Sequence, residues 1–224
     1  MEKSYKRRKG RSTAFFFFVI PYFLLLSCEK PKEFATFFDI PDSLFLSKFQ
    51  RESGEWAGTL ATPLIVYGFH CKGGTLGEYN ITVLEDSTLF GIDIVHPVDY
   101  QGIPCEEGIG FYPNGNIRYT ILQYDFQIGA FVWSSEKKGI TFFENGKVHQ
   151  GILAGQVEIG DFMLYPGNEI EFWPNGNLRH IDVGNEFIQY KGKELELYDF
   201  YFCEDGTLDW YEKKVVSNPG EIYW

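Results

Sequence analysis

The chain holds four histidines, four cysteines and 31 Asp and Glu residues, and these are the side chains with which it could do chemistry. The histidines are His70, His96, His149 and His180. None lies in an HExxH pattern, beside a Gly-x-Ser-x-Gly elbow, or at ligand spacing from another histidine. The pairs Glu85-Asp86, Glu106-Glu107 and Glu204-Asp205 are adjacent in sequence. On a strand, neighbouring side chains point to opposite faces, so these pairs read as solvated turn residues and not as a glycosidase dyad. Lys72-Gly73-Gly74-Thr75 has the composition of a phosphate loop without the Walker spacing. No catalytic site, metal site or cofactor is expected. The enzyme reading would gain only if the fold gathered His96, Asp99 and Glu106 in one pocket.

Cys28 carries chemistry of another kind. Lys3, Lys6, Arg7, Arg8, Lys9 and Arg11 form a basic head, residues 14–26 form an apolar run, and Ser27 precedes Cys28. That order is the pattern of a secretory signal. As a helix the 13-residue run reaches about 20 Å, short of a hydrocarbon core of about 30 Å. Pro21 inside the run also opposes a spanning helix. Leu25-Leu26-Ser27-Cys28 resembles the lipobox of bacterial lipoproteins. The resemblance implies cleavage after Ser27, a lipid on the Cys28 thiol and an acylated new N-terminus. Stable anchoring takes more than one acyl chain, which such a cysteine supplies. The expected location is the cell envelope, lipid-anchored to the outer membrane or cell surface, with residues 1–27 as signal and 28–36 as tether.

Removing the six basic residues and Glu2 of the leader from totals of 20 and 31 leaves 14 basic and 30 acidic residues, a net charge of −16. Such a surface repels nucleic acid and anionic headgroups. The mature 197 residues suffice for one sizeable domain. Aromatic residues make up 18% of the chain and Gly is frequent. With short apolar runs punctuated by glycine, this composition favours strands.

The runs repeat. GIGFYPNGNIRYTIL, GITFFENGKVHQGIL, NEIEFWPNGNLRHID and DFYFCEDGTLDWYE align on Gly115, Gly146, Gly176 and Gly206, at spacings of 31, 30 and 30. Fainter copies surround Ser87 and Gly54. Self-similarity at this period marks an array of units that bury their apolar faces against one another. Pro113-Asn114-Gly115 suits a three-residue hairpin loop with Gly in the left-handed position. A two-residue Asn-Gly loop is the competing register. In the three-residue register Phe111 opposes Ile117, and the inward columns are Ile109, Ile140, Ile170 and Phe200, then Phe111, Phe142, Phe172 and Phe202, then Ile117, Val148, Leu178 and Leu208. All are apolar, which favours that register. The fold class predicted is all-β: an elongated antiparallel meander of hairpin repeats of about 30 residues, with degenerate repeats over 37–104, a regular array over 105–213 and a tail over 214–224. Segments 37–40 and 43–49 are expected to form an amphipathic cap.

Between the hairpins lie further strand-like stretches, each with its own glycine: Gly68, Gly102, Gly129 and Gly160. Three residues beyond them stand Cys71, Cys105, Val132 and Met163, which places the two cysteines in one repeat phase. They read as buried packing residues. A Cys71–Cys105 disulfide is the alternative if equivalent strands are neighbours. Cys203 makes the mature thiol count odd. On the outward face Tyr112, Phe143 and Trp173 form an aromatic column beside Arg118 and Arg179. Stacked rings with arginine suit a glycan or a peptide; coverage by other strands is the alternative.

Phe111-Tyr112-Pro113-Asn114-Gly115-Asn116-Ile117, with segments 142–148 and 172–178 and the divergent 202–208, resembles MORN-type repeats, including bacterial antitoxin-like variants. The resemblance implies successive hairpins in one sheet and interaction with protein or lipid. The usual unit of those proteins is shorter, so each unit here carries an extra strand or connection. The function expected is a non-enzymatic, membrane-anchored binding or scaffold surface for protein or glycan, without nucleic acid. The alternatives are an envelope enzyme or accessory acting on cell-wall polymer, and a structural surface lipoprotein without a ligand. A Cys28→Ser chain is expected to incorporate no lipid and to keep its leader, read by mass spectrometry of the N-terminal peptide; lipid found on that variant would overturn the assignment of Cys28.

Overall fold

The computed structural model describes residues 32–136, 138–183, 187–196 and 198–213. The signal segment, Cys28 and the 214–224 tail lie outside the described residues. Among the described residues, six long hairpins build one antiparallel sheet in chain order. Their strands are Phe45–Gln50 and Trp56–Leu60, Ile81–Val83 and Leu89–Asp93, Ile103–Phe111 and Ile117–Leu122, Ile140–Phe142 and Val148–Ile152, Glu169–Phe172 and Leu178–Asp182, and Tyr198–Phe202 and Leu208–Lys213. The array is continuous from Phe45, and the faint copies at Gly54 and Ser87 are full members. Their turn residues sit at positive φ, +94° and +71°, like Gly115 at +83°.

The three-residue loop sets the register. Phe111 pairs with Ile117, Phe142 with Val148, Phe172 with Leu178 and Phe202 with Leu208. The Gly115 amide donates to the Tyr112 carbonyl, and the Tyr112 amide to the Asn116 carbonyl. Immediately beyond, five of the hairpins carry a bulge at one position, held by Phe90, Arg118, His149, Arg179 and Asp209. The bulge turns two successive side chains outward, as with Arg118 and Tyr119. It returns the next one, Thr120, to the core, where it is fully buried and donates to the Gly108 carbonyl.

Five short hairpins among the described residues alternate with the long ones and form a second layer. They are Leu64–Val66 with Phe69–Cys71, Val98–Tyr100 with the start of Ile103–Phe111, Phe126–Ile128 with Phe131–Trp133, Val157–Ile159 with Phe162–Leu164, and Phe187–Tyr190 with Lys193–Glu196. The extra length of each unit is this hairpin. The core lies between the layers. Phe69 and Tyr100 pack on Phe111 with ring centroids 5.9 and 5.4 Å away, Phe131 on Phe172 at 5.4 Å, and Phe162 on Phe200 and Phe202 at 5.1 and 5.5 Å. The hairpins bearing Phe69, Phe131 and Phe162 thus reach past the next long hairpin to the one after it.

The expected phase of the cysteines is corrected. Cys71 pairs with Leu64, Cys105 with Val98, Trp133 with Phe126 and Leu164 with Val157. The structural equivalents of the cysteines are therefore the buried Trp133 and Leu164, and Val132 and Met163 stand one place out of phase. The cause is turn chemistry. Gly68 and Gly102 take the second turn position behind Tyr67 and Gln101, themselves at φ +54°, whereas Gly129 and Gly160 take the first. Cys71 and Cys105 are buried free thiols and Cys203 is an exposed one. The disulfide alternative is therefore not realised: Cys71 lies in the sheet of the first short hairpin and Cys105 in the long sheet.

At the first end, Glu33–Phe34 pairs in parallel with Ile65 and Val66, so the folded domain already begins inside the expected 28–36 tether. Two 3-10 turns, Phe37–Asp39 and Asp42–Leu44, follow, with Phe37 and Ile40 buried. The 43–49 segment is not a separate cap. Its alternating residues give the edge strand Phe45–Gln50. Lys48 points inward from that strand, with its ammonium 5.0 Å from the Phe37 ring centroid and 4.9 Å from that of Phe45, and 3.0 Å from an Asp42 carboxylate oxygen.

The layers meet closely at Gly151, where an added Cβ would stand 2.7 Å from Cε3 of the buried Trp133. Gly151→Ala is expected to destabilise the domain by about 1–3 kcal/mol through overpacking, seen as a lower urea midpoint with unchanged slope. Gly155→Ala, whose Cβ would meet only the side chain of Val132 at 3.3 Å, is the mild comparison. Equal effects of the two would refute the packing argument.

Candidate functional site

The outward column is half-buried, and its members are tied to neighbouring hairpins. The Tyr112 hydroxyl donates to the Phe142 carbonyl at 2.8 Å, and the Trp173 indole to the Phe202 carbonyl at 3.1 Å. Phe143 packs on His149 with centroids 4.5 Å apart. The Arg179 guanidinium lies 4.8 Å from the Trp173 ring centroid, so this pair is brought together as expected. Arg118 instead stacks on Phe90 of the preceding hairpin, 4.4 Å from its centroid. Glu171 joins the column's C-terminal half. One of its oxygens accepts from Arg179 at 2.7 Å and stands 2.9 Å from Nε2 of His149. The stripe is a partly exposed surface whose ring polar groups already serve the array.

His96, Asp99 and Glu106 are not gathered. Asp99 lines a cleft that includes neither of the others. His96 stands beside His70, with ring centroids 5.9 Å apart. Among the described residues no group of three or more His, Cys, Asp and Glu side chains could hold a metal ion.

Two aromatic-walled concave features lie elsewhere, along the seam where the short turns meet the row of long turns. The first cleft, about 530 Å³, lies between the Gly68 and Gly102 short turns and the Ser87 and Gly115 hairpins. Phe69, Tyr100 and Phe111 form its aromatic wall, and their centroids are 5.4–5.9 Å apart. Thr88 and Asp99 supply polar groups at its mouth. Asp99 accepts from the Gly102 amide at 3.0 Å, and the Tyr100 hydroxyl donates to the Gly115 carbonyl at 3.1 Å, so the wall is held in place. A smaller cleft of about 260 Å³ repeats the arrangement with Phe131, Trp133, Val148 and Phe172. The Trp133 indole nitrogen is buried there without a hydrogen-bond partner. Sequence reasoning missed both clefts, because each is assembled from side chains two units apart. The one available signal was the aromatic residue at Phe69, Tyr100 and Phe131, next to a short turn.

Burial decides the notable titrations. It pushes the Cys71 thiol up to about 12, with Asp93 adding to the effect, and it raises Cys105. These thiols are inert packing groups. Burial also holds the Asp93 carboxyl above its ordinary value, with Glu107 and Glu78 adding to the shift against an Asn80 hydrogen bond and Lys72.

No protein-family model, no curated protein and no solved structure matches this chain.

Because the folded state holds the Asp93 proton more tightly than the unfolded chain does, this group favours folding most at pH values below its unfolded pKa. That contribution is lost as pH rises through the folded value. Asp93→Asn is therefore expected to raise the urea midpoint at neutral pH and to change it less near pH 4, close to the unfolded value of about 3.9. A variant less stable than the parent at neutral pH would show that the charged carboxylate is favourable where it sits.

Proposed function

We propose that this chain is a membrane-anchored lipoprotein whose hairpin array is a non-enzymatic binding surface, with the seam clefts as its contact sites. The observation that carries the reading is the aromatic cleft of Phe69, Tyr100 and Phe111 beside Thr88 and Asp99. An apolar wall with a few fixed polar groups is the usual form of a recognition site. The recurrence of such a wall at Phe131, Trp133 and Phe172 supports an extended ligand, a peptide or a glycan chain, lying across several units. Support for the anchor comes from the basic head, the apolar run and the Leu25-Leu26-Ser27-Cys28 ending. No converging acid, base and nucleophile accompany the clefts among the described residues, which favours binding over catalysis.

The test is a screen of the mature domain against peptide and cell-wall glycan libraries, followed by titration of any binder against Phe69→Ala, Asp99→Asn and Phe131→Ala. Urea unfolding serves as the control for folding. Loss of affinity of about tenfold, worth about 1.4 kcal/mol, in variants that stay folded is the expected result. A binder indifferent to all three but lost in Arg118→Ala or Arg179→Ala would move the site to the outward stripe and overturn the assignment to the seam.

A further inference from the structure

Ten large apolar side chains are exposed among the described residues, and five of them, Phe38, Leu46, Phe49, Leu76 and Tyr79, belong to the first units of the array. They flank the first long hairpin on both faces: Phe38 packs on Trp56 on the face of Lys48, and Phe49 packs on Tyr79, beneath Arg51, on the opposite face. Phe38 and Leu46 line one cleft with Phe45 and Trp56, about 580 Å³ in volume. Phe49 follows Leu46 on the edge strand and packs on Tyr79 with ring centroids 5.2 Å apart. Leu76 stands at the tip of the loop that carries Tyr79, and is the most exposed of the five at 75%. That loop is fixed to the first hairpin, because the Gly74 amide donates to the Leu60 carbonyl and the Asn80 amide to the Gly58 carbonyl. Exposed apolar side chains are thus concentrated around both faces of one end of the array, with Asp42 and Lys48 among them, and such a concentration marks an interaction site.

The chain itself says what covers this end. Lys32 enters the fold beside the first short hairpin, where its carbonyl accepts from the Ile65 amide. Cys28 is four residues upstream, a reach of at most about 14 Å when fully extended. If Cys28 is anchored, the first units are held against the lipid surface and the last long hairpins are not. Strand pairing with a second copy is opposed on the same edge. Lys48 points inward from the Phe45–Gln50 strand, and the strand is irregular at Leu46. An inward charge and a bulge are devices that keep an edge from accepting another strand. They do not hinder burial of side chains in a headgroup layer.

We infer that the end of the array formed by Phe38, Leu46, Phe49, Leu76 and Tyr79 is a membrane-contact face that seats the domain on a zwitterionic lipid surface. This rests on the anchoring proposed above. The side chains enter the boundary between headgroups and acyl chains, and the lipid on Cys28 keeps them there. The domain's net negative charge makes a zwitterionic bilayer the better partner than an anionic one.

The test separates the contact from the lipidation. The Cys28→Ser, Cys203→Ser chain carries a polyhistidine tag in place of residues 1–27 and is attached to phosphatidylcholine vesicles containing a nickel-chelating lipid. An environment-sensitive fluorophore is placed at Leu76→Cys in one sample and at Glu204→Cys, on the last long turn, in another. The Leu76→Cys label is expected to shift to the blue and to be quenched by doxyl-labelled lipid, and the Glu204→Cys label is not. Adding Phe38→Ser and Leu46→Glu to the Leu76→Cys chain is expected to cut the quenching on the order of several-fold, with unfolding midpoints showing that the domain remains folded. Equal responses from the two labels would overturn the proposal. So would a Leu76→Cys label shielded in a concentration-dependent way before vesicles are added, which would assign the face to a second copy. Either result leaves the acylation of Cys28 standing, because the tag and not the lipid holds the protein in this experiment.

Discussion

The inward phenylalanines of the long sheet need a cover, because a single antiparallel sheet leaves one of its faces in water. Phe111, Phe142, Phe172 and Phe202 are each at most 8% exposed, and burying such a ring contributes about 2–3 kcal/mol. The cover comes from within each repeat, as a short hairpin folded back over the sheet. Because Phe69 reaches Phe111, Phe131 reaches Phe172 and Phe162 reaches Phe200, one short hairpin ties together units that are not sequential neighbours. In a simple solenoid each unit touches only the next. Here the loss of one short hairpin uncovers the apolar face of a unit two steps away, so the array should unfold more cooperatively than a nearest-neighbour stack. The same skip leaves the seam clefts: a short hairpin spanning two long ones cannot fill the space between their turns.

Lateral order on the outer side comes from the turn residues. Asn114 Oδ1 accepts from the Asn116 amide and so fixes its own loop, while the Asn116 side chain donates to the Glu144 carbonyl of the next turn at 2.8 Å. Asn175 and Asn177 do the same onto Glu204. Tyr112 and Trp173 add their bonds one residue further in. A motif of aromatic, Pro, Asn and Gly thus serves two ends with one set of atoms: it closes the hairpin and joins it to the following one. This is why a column that looks like a ledge for a ligand is half-buried, and at Trp173 it is further covered by Arg179.

Legibility followed from which residues had only one role. The Phe and Ile columns are apolar in every unit, so the register beside the turn could be read from them. The bulge was hidden at Ile117-Arg118-Tyr119-Thr120, because Tyr119 tolerates either face and the residue that turns inward, Thr120, is polar. Yet Leu89 with Ile92 and Leu178 with Ile181 carried the signal: apolar residues three apart in a strand require one extra residue on the outer side. The second layer was visible as stretches with glycines, but its phase was not, since Gly68 and Gly129 occupy different positions of a two-residue turn. The clefts were legible only as an aromatic residue beside each of three short turns, at Phe69, Tyr100 and Phe131, without the partner that closes each cleft. Nothing local to Phe69 tells that its neighbour is Phe111, because that distance is set by how two layers stack.

The two ends of the array and its long edge differ in character, and together they bear on how such a domain stands. The row of long turns carries Glu52, Glu55, Glu85, Asp86, Glu144, Glu204 and Asp205, so that edge repels an anionic surface. The first end instead combines exposed apolar side chains with a lysine turned inward among Phe37, Phe38 and Phe45. The Lys48 side chain is only 16% exposed, whereas its partner Asp42 is 89% exposed and Asp39 and Glu78 are exposed as well. Apolar side chains interspersed with exposed carboxylates suit contact with a zwitterionic surface and oppose contact with an anionic one. The first seam cleft adjoins that end, because Tyr67 in its lining bonds to Phe34 and Phe37, and the cleft of Phe131, Trp133 and Phe172 lies further along the array, so an extended ligand would run from the seated end across several units.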